Sequence, residues 1–191
     1  TVLSPVAYLS GINIVRDACQ HEVVGKFIHK VMFDELMETL NLPKEELQQF
    51  AKDVLERFNN PFVDHQVTSI MLNSFPKYET RDLPGLKTYL QRKGELPKGL
   101  VLGLAAIITY YKGGTRADGS EIVPNDAPEI MQLLKDLWAT GDTRKVAEGV
   151  LGATSIWNED LNQIPGLTDM VVSFLNSIQE KGMLDTVKTI L

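Results

Sequence analysis

The sequence predicts an all-α fold: a single multi-helix domain over 1–191 with one non-helical loop around 112–126. Three observations predict it. Apolar residues recur at three- and four-residue steps almost everywhere, the period of a helix with one buried face. The stretch 98–111 is apolar on all sides, as a helix enclosed by others is. Turn signals concentrate at Gly113, Gly114, Asp118, Gly119 and Pro124, where Glu121, Ile122 and Val123 form a short extended piece.

The elements follow in order. From 21 to 40, Val24, Phe27, Ile28, Val31, Leu36 and Met37 mark one apolar stripe. Pro43 opens the next helix, with Glu45 and Glu46 at its positive end and a stripe of Leu47, Phe50, Ala51, Val54, Leu55 and Phe58. Asn60 precedes Pro61, which pushes it out of helical geometry and ends that helix. A helix over about 65–74 buries Val67, Ile70 and Met71. Pro84 starts another that closes at Gly94. In the central helix, Gly99 and Gly103 stand four apart, so a neighbouring element can approach its backbone closely. Asp126 with Glu129 reads as a capping box, and Pro128 fits the first turn. That helix ends at Gly141, and Asp142 caps the next, which runs to about 151. A last pair covers about 169–181 and 184–190, with Gly182 as the cap between them.

Composition limits the function. The chain is 43% hydrophobic and 23% charged, ordinary for a globular domain, and its net charge of −6 is spread without long runs. A concentrated basic face is missing, which argues against nucleic acid as a partner. The most apolar run, 100–108, falls short of the roughly 20 residues that span a bilayer, so no membrane is expected. A single cysteine, Cys19, leaves no internal disulfide and suits a reducing cytoplasm. Thr1 opens the chain without a methionine or a basic leader, and reads as the middle of something longer.

Taken residue by residue, little here assembles a catalytic set. No G-x-G-x-x-G follows a strand, so no dinucleotide fingerprint is expected in this chain. His21 and His29 lie two turns apart, too far to share a metal ion unaided. Cys19 reads as a structural thiol. The paired acids Asp34–Glu35 and Glu45–Glu46 read as exposed charge rather than general acid and base. The informative segment is 59–84, where Lys77 and Arg81 share a helical face and His65 stands upstream. Together they can receive an anionic small molecule, Arg81 supplying a two-pronged contact to a carboxylate. Taken alone, both cations read equally as solvated charges, with Lys77 paired to Asp82. Asn73 and Ser74 either orient Lys77 or cap a helix.

Several segments carry a resemblance. They are TVLSPVAYLSG at 1–11, RFNNPFVDH at 57–65, NSFPK at 73–77, YYKGG at 110–114 and PNDAPEI at 124–130. Over essentially its whole length the chain resembles the second domain of the mannitol dehydrogenase family, the long-chain polyol and uronate dehydrogenases. Within it, the run 110–138 and the ending 164–191 are most similar to the branch that interconverts tagaturonate and altronate.

The resemblance implies a helical fold like the second domain of 6-phosphogluconate-dehydrogenase-like enzymes. It implies that Thr1 directly follows a Lys-x4-Asn-x2-His motif, itself preceded by a Rossmann domain that binds NAD. That missing domain is then the chain's principal partner, and a sugar acid its substrate. Lys77 matches a substrate-site lysine of the family, with Arg81 and His65 as further candidates for substrate binding. No catalytic residue is expected in 1–191, so the chain alone is expected to be inactive. The alternatives are a fructuronate or mannitol reductase of the same family, and a helical assembly domain without a ligand site. On either family reading, the bare domain is expected to expose an apolar patch around 1–9 and the His65 helix.

Overall fold

A computed structural model describes residues 1–191. It is a helical domain built around one buried helix. The helices are α1 (Leu3–Leu9), α2 (Val15–Gln20), α3 (Glu22–His29), α4 (Lys44–Phe58), α5 (Val67–Met71), α6 (Ser74–Arg81) and α7 (Leu83–Lys93). They continue with α8 (Lys98–Tyr110), α9 (Pro128–Ala139), α10 (Thr143–Leu151), α11 (Thr154–Trp157), α12 (Leu167–Lys181) and α13 (Met183–Lys188). Strands β1 (Gly114–Thr115) and β2 (Glu121–Ile122) pair antiparallel, Gly114 opposite Ile122.

The predicted central helix is α8. Leu100, Leu102, Leu104, Ile107 and Ile108 are fully buried, each contributing about 1.5–3 kcal/mol by leaving water. It packs between α1 and α12, and α6 crosses its start. Its two glycines do what their spacing predicts. A Cβ at Gly103 would lie 2.3 Å from the Val2 side chain. One at Gly99 would lie 2.6 Å from Val31 and 2.9 Å from both Glu35 carboxylate oxygens.

That last contact overturns an expectation. Glu35 is not an exposed charge but is 2% exposed. Its oxygens accept from the Gly99 and Leu100 backbone N–H groups at 2.7 and 2.8 Å. These are free donors at the start of α8, so the carboxylate works as a cap supplied from another element. Glu35 stands four residues after Val31 and seven after Ile28, on the buried face of the stripe by a regular helical count. At Lys30–Leu36 the backbone widens into a π-helix and then tightens into a 3₁₀ turn at Met37–Thr39.

Two further boundaries differ from the sequence reading, while the start of the 21–40 stripe agrees with it: His21 caps α3, its Nδ1 accepting from the Val23 and Val24 N–H groups. The helix expected over 65–74 covers only Val67–Met71. The capping box at Asp126 does not form: α9 starts after Ala127 with no side-chain cap, because the Asp126 carboxylate is engaged elsewhere. Asp142 does cap α10, accepting from Arg144 and Lys145. Gly94 closes α7 in the left-handed conformation, as placed.

Candidate substrate-side site

The segment 59–84 folds as two short helices about a strained turn. After α5, Leu72 is extended and Asn73 adopts the left-handed conformation at φ 52°, a state that asparagine tolerates better than most residues. The chain then re-enters a helix at Ser74. The Ser74 hydroxyl donates to the Met71 carbonyl at 2.6 Å, which ties α6 back to the end of α5. Across the same turn, the Lys77 Nζ donates to the Ile70 carbonyl at 2.9 Å. Lys77 therefore covers the open C-terminal end of α5, a position that favours a cation. It is half-buried and is not paired with Asp82.

The loop 112–126 braces this turn from the side. The Asn73 N–H donates to the Asn125 carbonyl at 3.3 Å. The Ser74 N–H donates to the Tyr111 hydroxyl at 3.2 Å, and that hydroxyl donates to Asp126 Oδ2. Burial, with the Asp126 carboxylate beside it, holds the Tyr111 phenol well above its usual range. Sequence reading missed Tyr111 and Asp126. Their one signal was the pattern taken for a capping box.

Arg81 lies one turn along α6 from Lys77, and is exposed. Beside it Asp82 is 6% exposed. Burial raises the pKa of the Asp82 carboxyl, against the pull of Arg81. Asp82 Oδ2 and the Thr1 and Ser4 hydroxyls are buried without partners. Thr1, Ile70 and Asp82 line one cleft of about 260 Å³, walled also by Val2, Met32, Val54 and Phe58, and Lys77 is bonded to the Ile70 carbonyl at its side.

His65 belongs elsewhere. It precedes α5, at the opposite end from the carbonyl that Lys77 covers, roughly 7 Å along the axis. Its carbonyl accepts from the Val15 N–H at 2.9 Å and its side chain is exposed. The structure places Lys77 and Arg81 on one helix, α6, and leaves His65 beyond the far end of α5. The apolar patch expected around 1–9 is also displaced, since Val2 to Tyr8 are buried. The exposed apolar side chains are instead Phe50, Phe62, Val63 and Leu72.

The remaining chemical candidates have structural roles. His29 stacks on Phe33 with ring centroids 4.2 Å apart. Burial pushes the Cys19 thiol up to about 11, away from reactivity. The arrangement of this chain does not fit a dinucleotide. Gly113 and Gly114 follow α8 rather than a strand, and β1–β2 is an exposed two-residue ladder that opens no helix. A pyrophosphate cradle requires a strand, a glycine turn and a helix start in sequence.

Comparison with known proteins agrees with this geometry. A family model described as the mannitol dehydrogenase C-terminal domain matches residues 1–179. The chain is 86% identical over 191 residues to an altronate oxidoreductase of Phocaeicola vulgatus, covering 100% of this chain and 40% of that protein. It is 42% identical over 185 residues to an altronate oxidoreductase of Bacillus subtilis, covering 96% and 37%. The fold superimposes on mannitol 2-dehydrogenase of Pseudomonas fluorescens, solved as a ternary complex with NAD and D-mannitol. There the TM-score is 0.86 at 17% identity, over 99% of this chain and 37% of that one. The chain thus spans well under half the length of the relatives it matches. With the family match running from Thr1 across α8 and most of α12, the chain belongs to the mannitol dehydrogenase C-terminal domain family.

Proposed function

We propose that this chain is the substrate-side domain of a cytoplasmic NAD-dependent uronate reductase that interconverts tagaturonate and altronate. The observation that carries the reading is the seating of Lys77 on the Ile70 carbonyl, beside a cleft that Thr1, Ile70 and Asp82 line together. The family resemblance puts the general acid/base motif immediately before Thr1, so a substrate held there lies within reach of both cations. Lys77 binds the sugar acid through its carboxylate or hydroxyls, and its anchorage on the Ile70 carbonyl fixes the ammonium in place. Arg81 gives a second, more mobile contact to the carboxylate. His65 contributes at the rim of the cleft.

The relatives named altronate oxidoreductase support the choice of sugar acid. Cys19 as the lone cysteine supports a reducing compartment. NAD belongs to a dinucleotide domain ahead of Thr1, because the fold of 1–191 offers it no cradle. The domain alone is therefore inactive, and its cleft is one wall of a pocket that the other domain completes.

The test is NADH oxidation with tagaturonate, fructuronate and fructose. The chain 1–191 is expected to give no rate, and a protein of the relatives' full length to prefer tagaturonate. A Lys77-dependent rate from 1–191 alone, or a preference for fructuronate or fructose, overturns the reading.

A further inference from the structure

At the far end of α1 from Thr1 lies a second cavity, of about 460 Å³, between the loop 112–126 and the start of α13. Arg116, Ser10, Lys181 and Lys188 line it, with Asp118 and Asp185. Its distinguishing group is Arg116. The side chain is only 7% exposed, with its guanidinium stacked 4.2 Å above the Tyr8 ring. All its polar contacts run through Nη1: Asn13 Oδ1 at 2.8 Å, Ser120 Oγ at 3.5 Å and Asp118 at 3.7 Å. Nε and Nη2 are buried with no partner. The Ser10 hydroxyl in the same wall is also buried and unpartnered.

A buried guanidinium with half its donors unused is costly, since each unsatisfied charged donor forfeits hydration without return. Nε and Nη2 form the edge that grips two oxygens of a carboxylate or phosphate. The local charge favours the same ligand. Asp185 is paired with Lys188 at 2.7 Å and Asp118 stands against the Arg116 Nη1 at 3.7 Å, which leaves the charge of Lys181 in excess at the cavity rim.

We propose that this cavity is a second, non-substrate site for a small oxyanion, the carboxylate or phosphate of a molecule of about six carbons. Arg116 turns its free edge to the two oxygens, Ser10 donates a third hydrogen bond and Lys181 closes the charge. The site joins α1, the 112–126 loop and α13 through one ligand. Because the same loop braces Ser74, occupancy stiffens the Lys77 turn from a distance. The inference stands independently of which substrate the family site takes.

The experiment is a ¹H–¹⁵N titration of the chain 1–191, following the Arg116 Nε–H resonance. Inorganic phosphate and D-gluconate are compared with chloride at constant ionic strength. Phosphate or gluconate is expected to move the resonance saturably, and Ser10→Ala and Lys181→Gln each to weaken binding about tenfold while leaving the fold intact. Saturation by one anion alone identifies the source as phosphate or carboxylate. A shift that chloride reproduces, or one unchanged in Ser10→Ala and Lys181→Gln, refutes the site. Arg116→Lys retains the charge without the fork and is expected to abolish saturation.

Discussion

Glu35 and Gly99 meet at 2.7 Å, carboxylate oxygen to backbone N–H, at the one place where the central helix begins inside the core. The second oxygen takes the Leu100 N–H at 2.8 Å, so a buried acid closes two of the helix's free donors at once. Glu35→Gln keeps the size but turns an NH₂ toward one of those donors. A loss of about 1–3 kcal/mol of unfolding free energy is expected in urea titration at about pH 5.

The same pair has a pH signature. Burial raises the Glu35 carboxyl above the ordinary carboxylate range, against the pull of the two N–H donors. The native state therefore holds this proton more tightly than the unfolded chain does. Glu35's contribution is full below the unfolded pKa of about 4.3 and is lost as pH rises through the higher folded value. The stability gap between the wild type and Glu35→Gln is expected to narrow as pH rises above the unfolded pKa and through the higher folded value. A gap that widens contradicts the assignment.

Gly103 is expected to tolerate no side chain. A Cβ there would stand 2.3 Å from the Val2 Cβ and Cγ1 and 3.3 Å from its Cα. Val2 is itself 5% exposed and cannot swing outward freely. Gly103→Ala should cost about 1–3 kcal/mol through overpacking, although alanine is the better helix former. Thermal unfolding by circular dichroism measures it, and the companion Val2→Gly change, which removes both the Cβ and the Cγ1, is expected to return part of the loss.

Tyr111 holds the substrate-side turn through two bonds, to Ser74 and to Asp126. Tyr111→Phe strands the Ser74 N–H in a buried place, at about 1–3 kcal/mol. If the two bonds act as one unit, Asp126→Asn adds little on top of it, and a double-mutant cycle reads that coupling. Hydrogen exchange at Ser74 and Asn73 should quicken in both variants. Additive losses would mean that the loop and the turn are independent.

Periodicity made the central helix legible, because an all-apolar run with two glycines has one physical use. The caps at Asp142 and Gly94 were legible for the same reason: each is a local rule. What escaped notice depended on contacts between distant residues. Glu35 reads as exposed from its charge alone, although it stands on the buried face four residues after Val31. Its partners, the Gly99 and Leu100 N–H groups, lie far along the chain. Asp126 fitted a capping box, but Tyr111 offered its carboxylate a better-buried partner. That Lys77 and Arg81 share one helix was legible from their spacing. The anchorage of Lys77 on Ile70 was not, because Leu72 and Asn73 break a helix that hydrophobic spacing alone continues.

Lys77 gives the most direct check on function. In a protein of the relatives' full length, Lys77→Met is expected to raise KM for the sugar acid about tenfold or more and to change kcat by less than a few-fold. That pattern separates a group that holds substrate from one that moves a proton. The fold should barely respond, since one hydrogen bond to the Ile70 carbonyl is at stake, about 0.5–1.5 kcal/mol. Arg81→Gln is expected to raise KM less, because the side chain is exposed and bears no comparable anchor. His65→Gln should have the smallest effect, as it lies at the other end of α5. An unchanged KM in Lys77→Met, with unfolding and hydrogen exchange also unchanged, would leave the lysine as a helix-end cap alone. A fall in kcat equal to that in kcat/KM would instead place its ammonium on the reacting oxygen.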